Sequence, residues 1–395
     1  MWTQVRPTRL YCCMVILSTT TTSYLTYPLQ SIMVNLQPYM ALPELLWAHH
    51  EIRAATTFLS LMLALPITLS ILLPSVYYFI FHHITTLLLY VVTSIVIIRN
   101  IAQGGEYHEY KHLDGKVVLI TGGGGGIGYR NAIQLARMNA TVYIGLRGGK
   151  SRGEQVVQQV KQAAGLDSSN QNVQYIELDL MSFDSVRNAA AEFKSRSNQL
   201  DILLNNAGIM AVPHQLTNDR YEAQIQTNHL SHYLLTDLLI DRIKTSHGRI
   251  VNVSSLGHII AYDGINYNQS SDASTYNNWH VYGETKLANI LFTKALNDRY
   301  SADNIKSVAL HPGSVRTELT RSLDSFSQFT APYILWLLGK NAEQGSLTSL
   351  YCCVSDDIQS GEYYSDCTVA PTISIANSKQ KRDELWEWSK IQVSK

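Results

Sequence analysis

Residues 116–128 read KVVLITGGGGGIG, a short apolar run followed by five consecutive glycines and an Ile-Gly pair. The run Lys116–Thr121 is typical of a buried strand in a parallel sheet. Glycines between a strand and a helix let the backbone turn tightly and approach a pyrophosphate, which then lies at the helix N-terminus. We therefore predict a nucleotide site in this first strand-to-helix turn; a flexible loop is the alternative interpretation.

Strands and helices alternate from this turn to about residue 310. Further strands are predicted at Thr141–Leu146, Val173–Asp179, Asp201–Asn205, Arg249–Ser254 and Lys306–Leu310. The first two intervening helices are expected at about 128–139 and 152–164. This alternation predicts an α/β fold, a doubly wound parallel sheet in one Rossmann-type catalytic domain over residues 113–395. Ligands of such sheets bind at the carboxyl ends of the strands.

The end of the second strand indicates which dinucleotide the site prefers. An NAD site usually has an acidic residue there that accepts a hydrogen bond from the ribose 2′-hydroxyl. This chain has Arg147 instead, and no carboxylate follows until Glu154. Because an arginine pairs with a 2′-phosphate through two parallel hydrogen bonds, we predict NADP(H) as the cofactor. An exposed surface arginine is the alternative, and one residue does not exclude the use of both cofactors.

The spacing of Tyr282 and Lys286 indicates the chemistry. Residues four apart lie one above the other on one face of a helix. We expect the ammonium group to lower the pKa of the phenol from about 10 toward neutral pH, as a general acid/base for an alcohol–carbonyl pair requires. Upstream, a predicted strand ends at the hydroxyls of Ser254 and Ser255, either of which can hold a substrate oxygen.

The order of these motifs resembles the short-chain dehydrogenase/reductase superfamily. The match extends from about Lys116 to Asp366. Within the superfamily the chain is most similar to the membrane-anchored retinol dehydrogenases that act as NADPH-dependent retinal reductases. The segments that carry the resemblance are TGGGGGIG (121–128), NNAGIM (205–210), TNHLSHYLLT (227–236), RIVNVSSLGH (249–258), KLANILFT (286–293), HPGSVRTEL (311–319), EQGSLTSLYC (343–352) and SGEYYSDC (360–367).

The resemblance implies four catalytic roles. Tyr282 donates the proton in reduction, and Lys286 tunes Tyr282 and holds the nicotinamide ribose. Ser255, rather than Ser254, orients the carbonyl group. Asn228 supports a water-linked proton relay to Lys286; an ordinary buried amide is the alternative for Asn228.

The resemblance also implies which residues contact the cofactor. Asp179 contacts the adenine (a helix cap is the alternative), residues 205–208 lie behind the cofactor, and Thr317 binds the carboxamide. In addition to Tyr282 and Lys286, the implied cofactor-binding residues are Thr121, Gly122, Gly126, Ile127, Gly128, Arg147, Asp179, Leu180, Asn205, Ala207, Gly208, Pro312, Gly313, Val315 and Thr317.

A long uncharged stretch precedes the catalytic region. No Asp, Glu, Lys or Arg occurs between Arg53 and Arg99, and about 20 apolar residues suffice to cross a bilayer as a helix. We predict that residues 54–99 anchor the chain in a membrane through two crossings (58–80 and 84–98), one tilted crossing or a re-entrant hairpin. A buried helical hairpin in a soluble protein is the alternative. Residues 1–53 form an extension whose order the sequence does not decide.

Composition excludes some partners. The net charge is zero, so no nucleic-acid partner is expected. The five cysteines show no CxxC spacing, so we expect neither a metal site nor a disulfide framework, and free thiols suit a reducing compartment.

The predicted substrate is lipophilic. Residues 326–338 (FSQFTAPYILWLL) are apolar and aromatic and follow the His-Pro-Gly turn, where such folds build a substrate lid; a core helix is the alternative. With membrane attachment, they favour retinal or retinol first, then other lipid aldehydes, polyprenals and steroids. The contrasting hypothesis is a non-catalytic nucleotide-binding scaffold. We expect a cytosol-facing domain on the endoplasmic reticulum, or on a mitochondrial membrane. The sequence does not indicate which oligomeric state the protein adopts.

Overall fold

The computed structural model describes residues 57–58, 60–61, 84–105, 107, 109–267, 273–315, 336–337 and 339–395. The predicted extension 1–53 and most of the predicted membrane stretch 54–99 lie outside the described residues. Helix α1 (Ile84–Gln103) covers the end of that stretch. In the described ranges, no helix has both the length and the apolar character needed to cross a membrane.

One sheet forms the centre of the catalytic region. Its strands are β1 (Val117–Thr121), β2 (Thr141–Leu146), β3 (Val173–Glu177), β4 (Ile202–Asn205), β5 (Arg249–Val253), β6 (Lys306–His311), β7 (Tyr363–Ser365) and β8 (Thr368–Val369). They lie in the order β3-β2-β1-β4-β5-β6-β7-β8, and only β7 and β8 pair in antiparallel fashion. The predicted strands β1 to β6 are confirmed, with shifts of at most two residues at their ends. The sequence pattern does not predict β7 and β8, because 3 and 2 residues are too few to show a period.

The sheet is doubly wound, as predicted. Leu119 of β1 pairs with Tyr143 of β2 on one side and with Leu203 of β4 on the other. The direction in which the chain builds the sheet therefore reverses next to β1. In such sheets the ligand crevice lies at this reversal, outside the carboxyl ends of the strands.

Helices cover both faces of the sheet. They are α2 (Gly126–Arg137), α3 (Gly149–Ala164), α4 (Phe183–Arg196), α5 (Ser231–Ser246), α6 (Asn278–Tyr300), α7 (Ala342–Val354) and α8 (Lys379–Val393). Helices α2, α3 and α7 contribute to one apolar core, and α4, α5, α6 and α8 contribute to the other. Along β1, Val118 and Ile120 face the first core and Leu119 faces the second. Because both faces are buried, the central strands are largely apolar, which is why the sequence predicts them.

Candidate active site

The glycine turn after β1 is packed against the chain that follows β4. Gly122 has a φ of 69°, and its amide donates to the Gly145 carbonyl at 2.8 Å. A Cβ on Gly122 would lie 2.9 Å from the Cβ of Ala207. A Cβ on Gly128 would lie 2.5 Å from Asn206 Nδ2 and 2.6 Å from the Gly122 carbonyl oxygen. Because these separations are shorter than ordinary van der Waals contacts, both positions require glycine.

Thr121, the last residue of β1, ties this turn to two other segments. Its Oγ1 accepts hydrogen bonds from the amides of Asn206 and Ala207, each at 3.0 Å, so its hydroxyl proton points at His232 Nε2, 2.8 Å away. Burial lowers the pKa of His232 to about 4, and the neutral ring donates from Nδ1 to the Asn228 carbonyl at 3.1 Å. Asn206 belongs to the predicted range 205–208, whereas His232 is not among the predicted site residues, although the motif TNHLSHYLLT contains it.

The N-terminus of α2 fits the pyrophosphate of a dinucleotide. Helix α2 begins at Gly126, which has a φ of 54°, and Ile127 is buried in its first turn. The N-cap residue Gly125 offers no side-chain cap, and a Cβ there would meet no atom within 4 Å. Amides at a helix N-terminus that lack a side-chain cap bind anions. The predicted positions Gly122, Gly126 and Gly128 therefore form a cradle of the required kind.

The predicted adenosine end of the site lies at the ends of β2 and β3. The Arg147 side chain is 55% exposed, and its Nη1 lies 3.9 Å from Asp179 Oδ1. The Asp179 carboxylate accepts from the Met181 amide at 3.0 Å, whereas Ser182 caps α4. The alternative that Asp179 caps that helix is therefore wrong. Leu180, the other predicted residue at this end, is buried beside Asp179.

Tyr282, Lys286 and Ser255 come together between α6 and the end of β5. Tyr282 and Lys286 are buried on α6, and Lys286 Nζ lies 5.5 Å from the centroid of the Tyr282 ring. Ser255 follows β5 and hydrogen-bonds with the Tyr282 hydroxyl. Its Oγ also accepts from the Gly257 amide at 3.0 Å. A Cβ on Gly257 would lie 3.0 Å from the Tyr282 ring, so the backbone of this loop holds the ring in place.

The structure contradicts the predicted lowering of the Tyr282 pKa. Burial raises the pKa of Tyr282 to about 12, and the hydrogen bond from Ser255 opposes this rise only in part. Burial also lowers the pKa of Lys286 to about 8, while its Nζ donates to the Val253 carbonyl at 3.1 Å. Loss of water around the ring therefore outweighs the hydrogen bond from Ser255. At neutral pH Tyr282 is a protonated phenol.

The two serines after β5 have different surroundings. Ser254 is 2% exposed, and its Oγ donates to the Lys286 carbonyl at 2.7 Å. Its hydroxyl proton is therefore already used in a hydrogen bond to α6. Ser255 is only partly buried and has its hydroxyl at the phenol of Tyr282. The geometry therefore favours Ser255 over Ser254 as the residue that meets a substrate oxygen.

Asn228 lies in a π-helical turn, Gln226–Leu230, that precedes α5. Its side chain is fully buried. Its Oδ1 accepts from the Ile209 amide at 2.8 Å, and its Nδ2 donates to the Ile209 carbonyl at 2.9 Å and to Thr285 Oγ1 at 3.0 Å. Asn228 thus joins the loop after β4 to α6, and π-helical turns are frequent at functional sites.

The loop after β4 approaches both Asn228 and Lys286. A Cβ on Gly208 would lie 3.1 Å from Asn228 Oδ1 and 3.5 Å from Lys286 Nζ. Asn205 has a different role, because its Nδ2 donates to Asn252 Oδ1 at 2.9 Å inside the sheet. The structure therefore brings Gly208 to Lys286, whereas the Asn205 side chain holds β4 to β5.

The remaining predicted positions follow β6. Pro312 and Gly313 are buried, Gly313 has a φ of 91°, and Val315 pairs with Lys340 in an isolated bridge. Thr317 and nearly all of the predicted lid, 326–338, lie outside the described residues.

Known proteins share this arrangement of sequence and fold. The family model described as short chain dehydrogenase matches residues 116–328. Retinol dehydrogenase 12 of Mus musculus is 37% identical over 302 residues, which cover 74% of this chain and 90% of that protein. Retinol dehydrogenase 11 of Homo sapiens is 37% identical over 298 residues, with the same coverage of both chains. A crystal structure of an uncharacterized protein from Mycobacterium Paratuberculosis is 30% identical, covers 74% of this chain and 98% of its own, and has a TM-score of 0.56.

These similarities extend over more than half of the chain and nearly the whole length of the relatives. They agree with the doubly wound sheet, the glycine cradle and the group formed by the buried Tyr282 and Lys286 with the partly buried Ser255. The chain therefore belongs to the short-chain dehydrogenase/reductase family, within the retinol dehydrogenase group, and is an oxidoreductase whose fold binds a nicotinamide dinucleotide.

Proposed function

We propose that this chain is a membrane-bound reductase that uses NADPH to convert a lipophilic aldehyde, retinal first, into its alcohol. The observation that carries the proposal is the group formed by the buried Tyr282 and Lys286 with the partly buried Ser255. The 37% identity to retinol dehydrogenases 12 and 11 supports a retinoid as the substrate.

The three side chains suit the reduction of a carbonyl group. When bound, the reduced nicotinamide supplies a hydride to the carbonyl carbon. Tyr282 gives its phenolic proton to the carbonyl oxygen, and its pKa of about 12 keeps that proton on the phenol at neutral pH until the oxygen gains charge. Ser255 donates a second hydrogen bond to the same oxygen. The Lys286 ammonium group stabilises the phenolate that is left.

Asn228 is the positioning residue of this proposal. Its amide is fixed by the Ile209 backbone and by Thr285 on α6, and Gly208 leaves space for Lys286 beside it. We propose that Asn228 holds a water molecule that returns a proton to Lys286, from which the proton passes to Tyr282. Hydrogen bonds from Thr121 to His232 and from His232 to the Asn228 carbonyl connect the π-helical turn that contains Asn228 to the end of β1.

The cofactor preference follows from Arg147, and its removal tests that preference. We expect Arg147→Ala to weaken NADPH binding about tenfold to a hundredfold, because a charge-assisted pair with the 2′-phosphate contributes about 1.5–3 kcal/mol. NADH binding should change less than about twofold. Calorimetric titration of the solubilised full chain with each cofactor measures both effects. Lys194→Ala, which removes a partly buried cation paired with Asp241, is the control. Equal weakening of NADPH and NADH would contradict the assignment.

The pH dependence of the reaction follows from Lys286. Burial lowers its folded-state pKa to about 8, so the ammonium group is charged at neutral pH and loses its proton as the pH rises through 8. We expect kcat/KM for reduction to be constant from about pH 6 to about pH 7.5 and to fall steadily above pH 8, because an uncharged Lys286 no longer stabilises the Tyr282 phenolate. Initial rates in a constant-ionic-strength buffer series provide the profile. A profile that stays flat to about pH 10 would remove this role from Lys286.

The membrane and substrate parts of the proposal rest on composition. The uncharged run between Arg53 and Arg99 supports attachment to a bilayer. The apolar segment 326–338 supports a long hydrophobic substrate delivered from that bilayer. We place the catalytic domain on the cytosolic face of the endoplasmic reticulum, because NADPH is available there and the cysteines show no disulfide pattern.

Turnover by membranes that carry the full chain tests the proposed function. NADPH oxidation is measured with retinal, a medium-chain aldehyde, a polyprenal and a ketosteroid, and membranes carrying Tyr282→Phe provide the blank. We expect Tyr282-dependent reduction of retinal, faster with NADPH than with NADH. Reduction of another lipid carbonyl alone would keep the mechanism and remove the retinoid assignment. Absence of Tyr282-dependent turnover with every substrate would favour the scaffold hypothesis.

A further inference from the structure

Glu177, the last residue of β3, bonds to the N-terminus of the neighbouring helix α3. It lies opposite Leu146 in the register of β2 and β3. Its Oε1 accepts from the Gly148 amide at 3.1 Å and its Oε2 from the Gly149 amide at 2.9 Å. The Tyr175 phenol also donates to this carboxylate. An exposed carboxylate is therefore held by three donors, two of which are the amides of the residues that follow Arg147.

The two amides that Glu177 occupies form an anion-binding site of the chain. Gly148 and Gly149 have φ angles of 120° and 84°, which turn both N–H groups toward the same point. Gly148 is the N-cap of α3 and has no side chain that could cap it. A Cβ on Gly148 would meet only the exposed Arg152 side chain, which can move, so the φ of 120° is the reason that this position favours glycine. The negative group at these amides is supplied by β3.

Arg147, the proposed ligand of the 2′-phosphate, lies near Asp179 and is followed in the sequence by the two glycines whose amides bind Glu177. Its Nη1 is 3.9 Å from Asp179 Oδ1. The negative charge of the Glu177 carboxylate repels a phosphate that binds to the Arg147 guanidinium. Such a phosphate also finds the nearest backbone donors already bonded to that carboxylate. Both effects weaken the binding of a dianion and leave an uncharged 2′-hydroxyl almost unaffected.

We infer that Glu177 is a specificity-determining residue that limits the preference for NADPH over NADH by occupying the amides of Gly148 and Gly149. This inference rests on the proposed use of NADP(H) and adds a second determinant to Arg147. Arg147 attracts the 2′-phosphate, and Glu177 opposes it.

Glu177→Gln tests the inference, because it removes the charge and retains an oxygen that can accept from one of the two amides. Calorimetric dissociation constants are measured for NADPH, NADH, adenosine 2′,5′-bisphosphate and AMP with the full chain. We expect NADPH and the bisphosphate to bind about fivefold more tightly at low salt, with NADH and AMP changed less than about twofold. Glu154→Gln, which neutralises an exposed carboxylate of the same helix paired with Lys150 at 3.7 Å, is the matched control and should leave the ratio unchanged. Thermal unfolding of each variant confirms that it is folded.

The possible results separate this inference from the proposed function. An unchanged NADPH-to-NADH ratio in a folded Glu177→Gln protein would overturn the inference alone, since Glu177 would then only cap α3. Selective weakening of NADH and AMP would also overturn it, because Glu177 would then accept from the ribose hydroxyl. A wild-type chain that binds NADH but neither NADPH nor the bisphosphate would overturn the proposed use of NADP(H), and the inference with it. If the Gln variant proves unfolded, Glu177→Asp replaces it, because it keeps the charge but has a side chain too short to reach both amides. The inference then requires that NADPH binding tightens relative to NADH binding in this variant.

Discussion

Tyr282→Phe is expected to lower kcat for aldehyde reduction by about a thousandfold, with NADPH binding changed less than about twofold. The variant removes the phenolic proton that the carbonyl oxygen receives, and a positioned general acid contributes about a hundredfold to ten-thousandfold. It leaves the ring, its contact with Gly257 and the Lys286 ammonium group in place. Single-turnover oxidation of bound NADPH measures the chemical step, and calorimetry measures the cofactor.

Tyr221→Phe is the matched control for Tyr282→Phe. Its phenol also makes a hydrogen bond, to the Gln392 carbonyl at 3.1 Å, and its ring packs on Phe183. Its loss should therefore affect stability slightly and kcat not at all. A Tyr282→Phe rate within about tenfold of wild type would mean that another group or a water molecule supplies the proton. Loss of NADPH binding in that variant would mean that the phenol serves the cofactor site rather than the proton transfer.

The parts of the fold that the sequence predicts are those whose pattern is local. The turn after β1 is recognisable because two positions that require glycine, Gly122 and Gly128, lie within eight residues of each other in the sequence. Strands β1, β2 and β4 are recognisable because burial on both faces makes them largely apolar, and β3, β5 and β6 each keep an apolar stretch between polar residues. The choice of Ser255 over Ser254 came from resemblance, and its physical reason, the bond from Ser254 to the Lys286 carbonyl, is visible only in three dimensions.

The features that the sequence did not predict depend on distant segments. The direction of the Tyr282 pKa shift was wrong, because the four-residue spacing to Lys286 suggests attraction while burial, a property of the whole fold, dominates. The sequence pattern predicts a strand that continues to Asp179, whereas β3 ends at Glu177, whose carboxylate bonds to amides that follow β2. His232 lies far from Thr121 in the sequence, and the two are brought within hydrogen-bond distance only when the chain folds.

Gly128→Ala is expected to lower the free energy of unfolding by about 3 kcal/mol and to abolish measurable NADPH binding. The new Cβ would lie 2.5 Å from Asn206 Nδ2 and 2.6 Å from the Gly122 carbonyl oxygen. Asn206 Nδ2 is held by the Thr121 carbonyl at 2.9 Å, and the Gly122 oxygen belongs to the backbone of the turn itself. Relief therefore requires α2 to move away from β1, together with the amides proposed to face the pyrophosphate. Thermal unfolding with and without NADPH measures both effects, with an expected fall in Tm of about 5–10 °C.

Gly125→Ala is the control from the same turn, because Gly125 is extended, with φ −168° and ψ 172°, and its Cβ would meet no atom within 4 Å. Its Tm without cofactor should therefore stay within about 1 °C of wild type. If Gly128→Ala also kept the wild-type Tm, the close approach of α2 to Asn206 would not constrain the fold. If its Tm fell but NADPH still raised it by the wild-type increment, Gly128 would serve packing alone. The pyrophosphate would then bind away from the N-terminus of α2, because amides displaced with the helix could not hold it at full affinity.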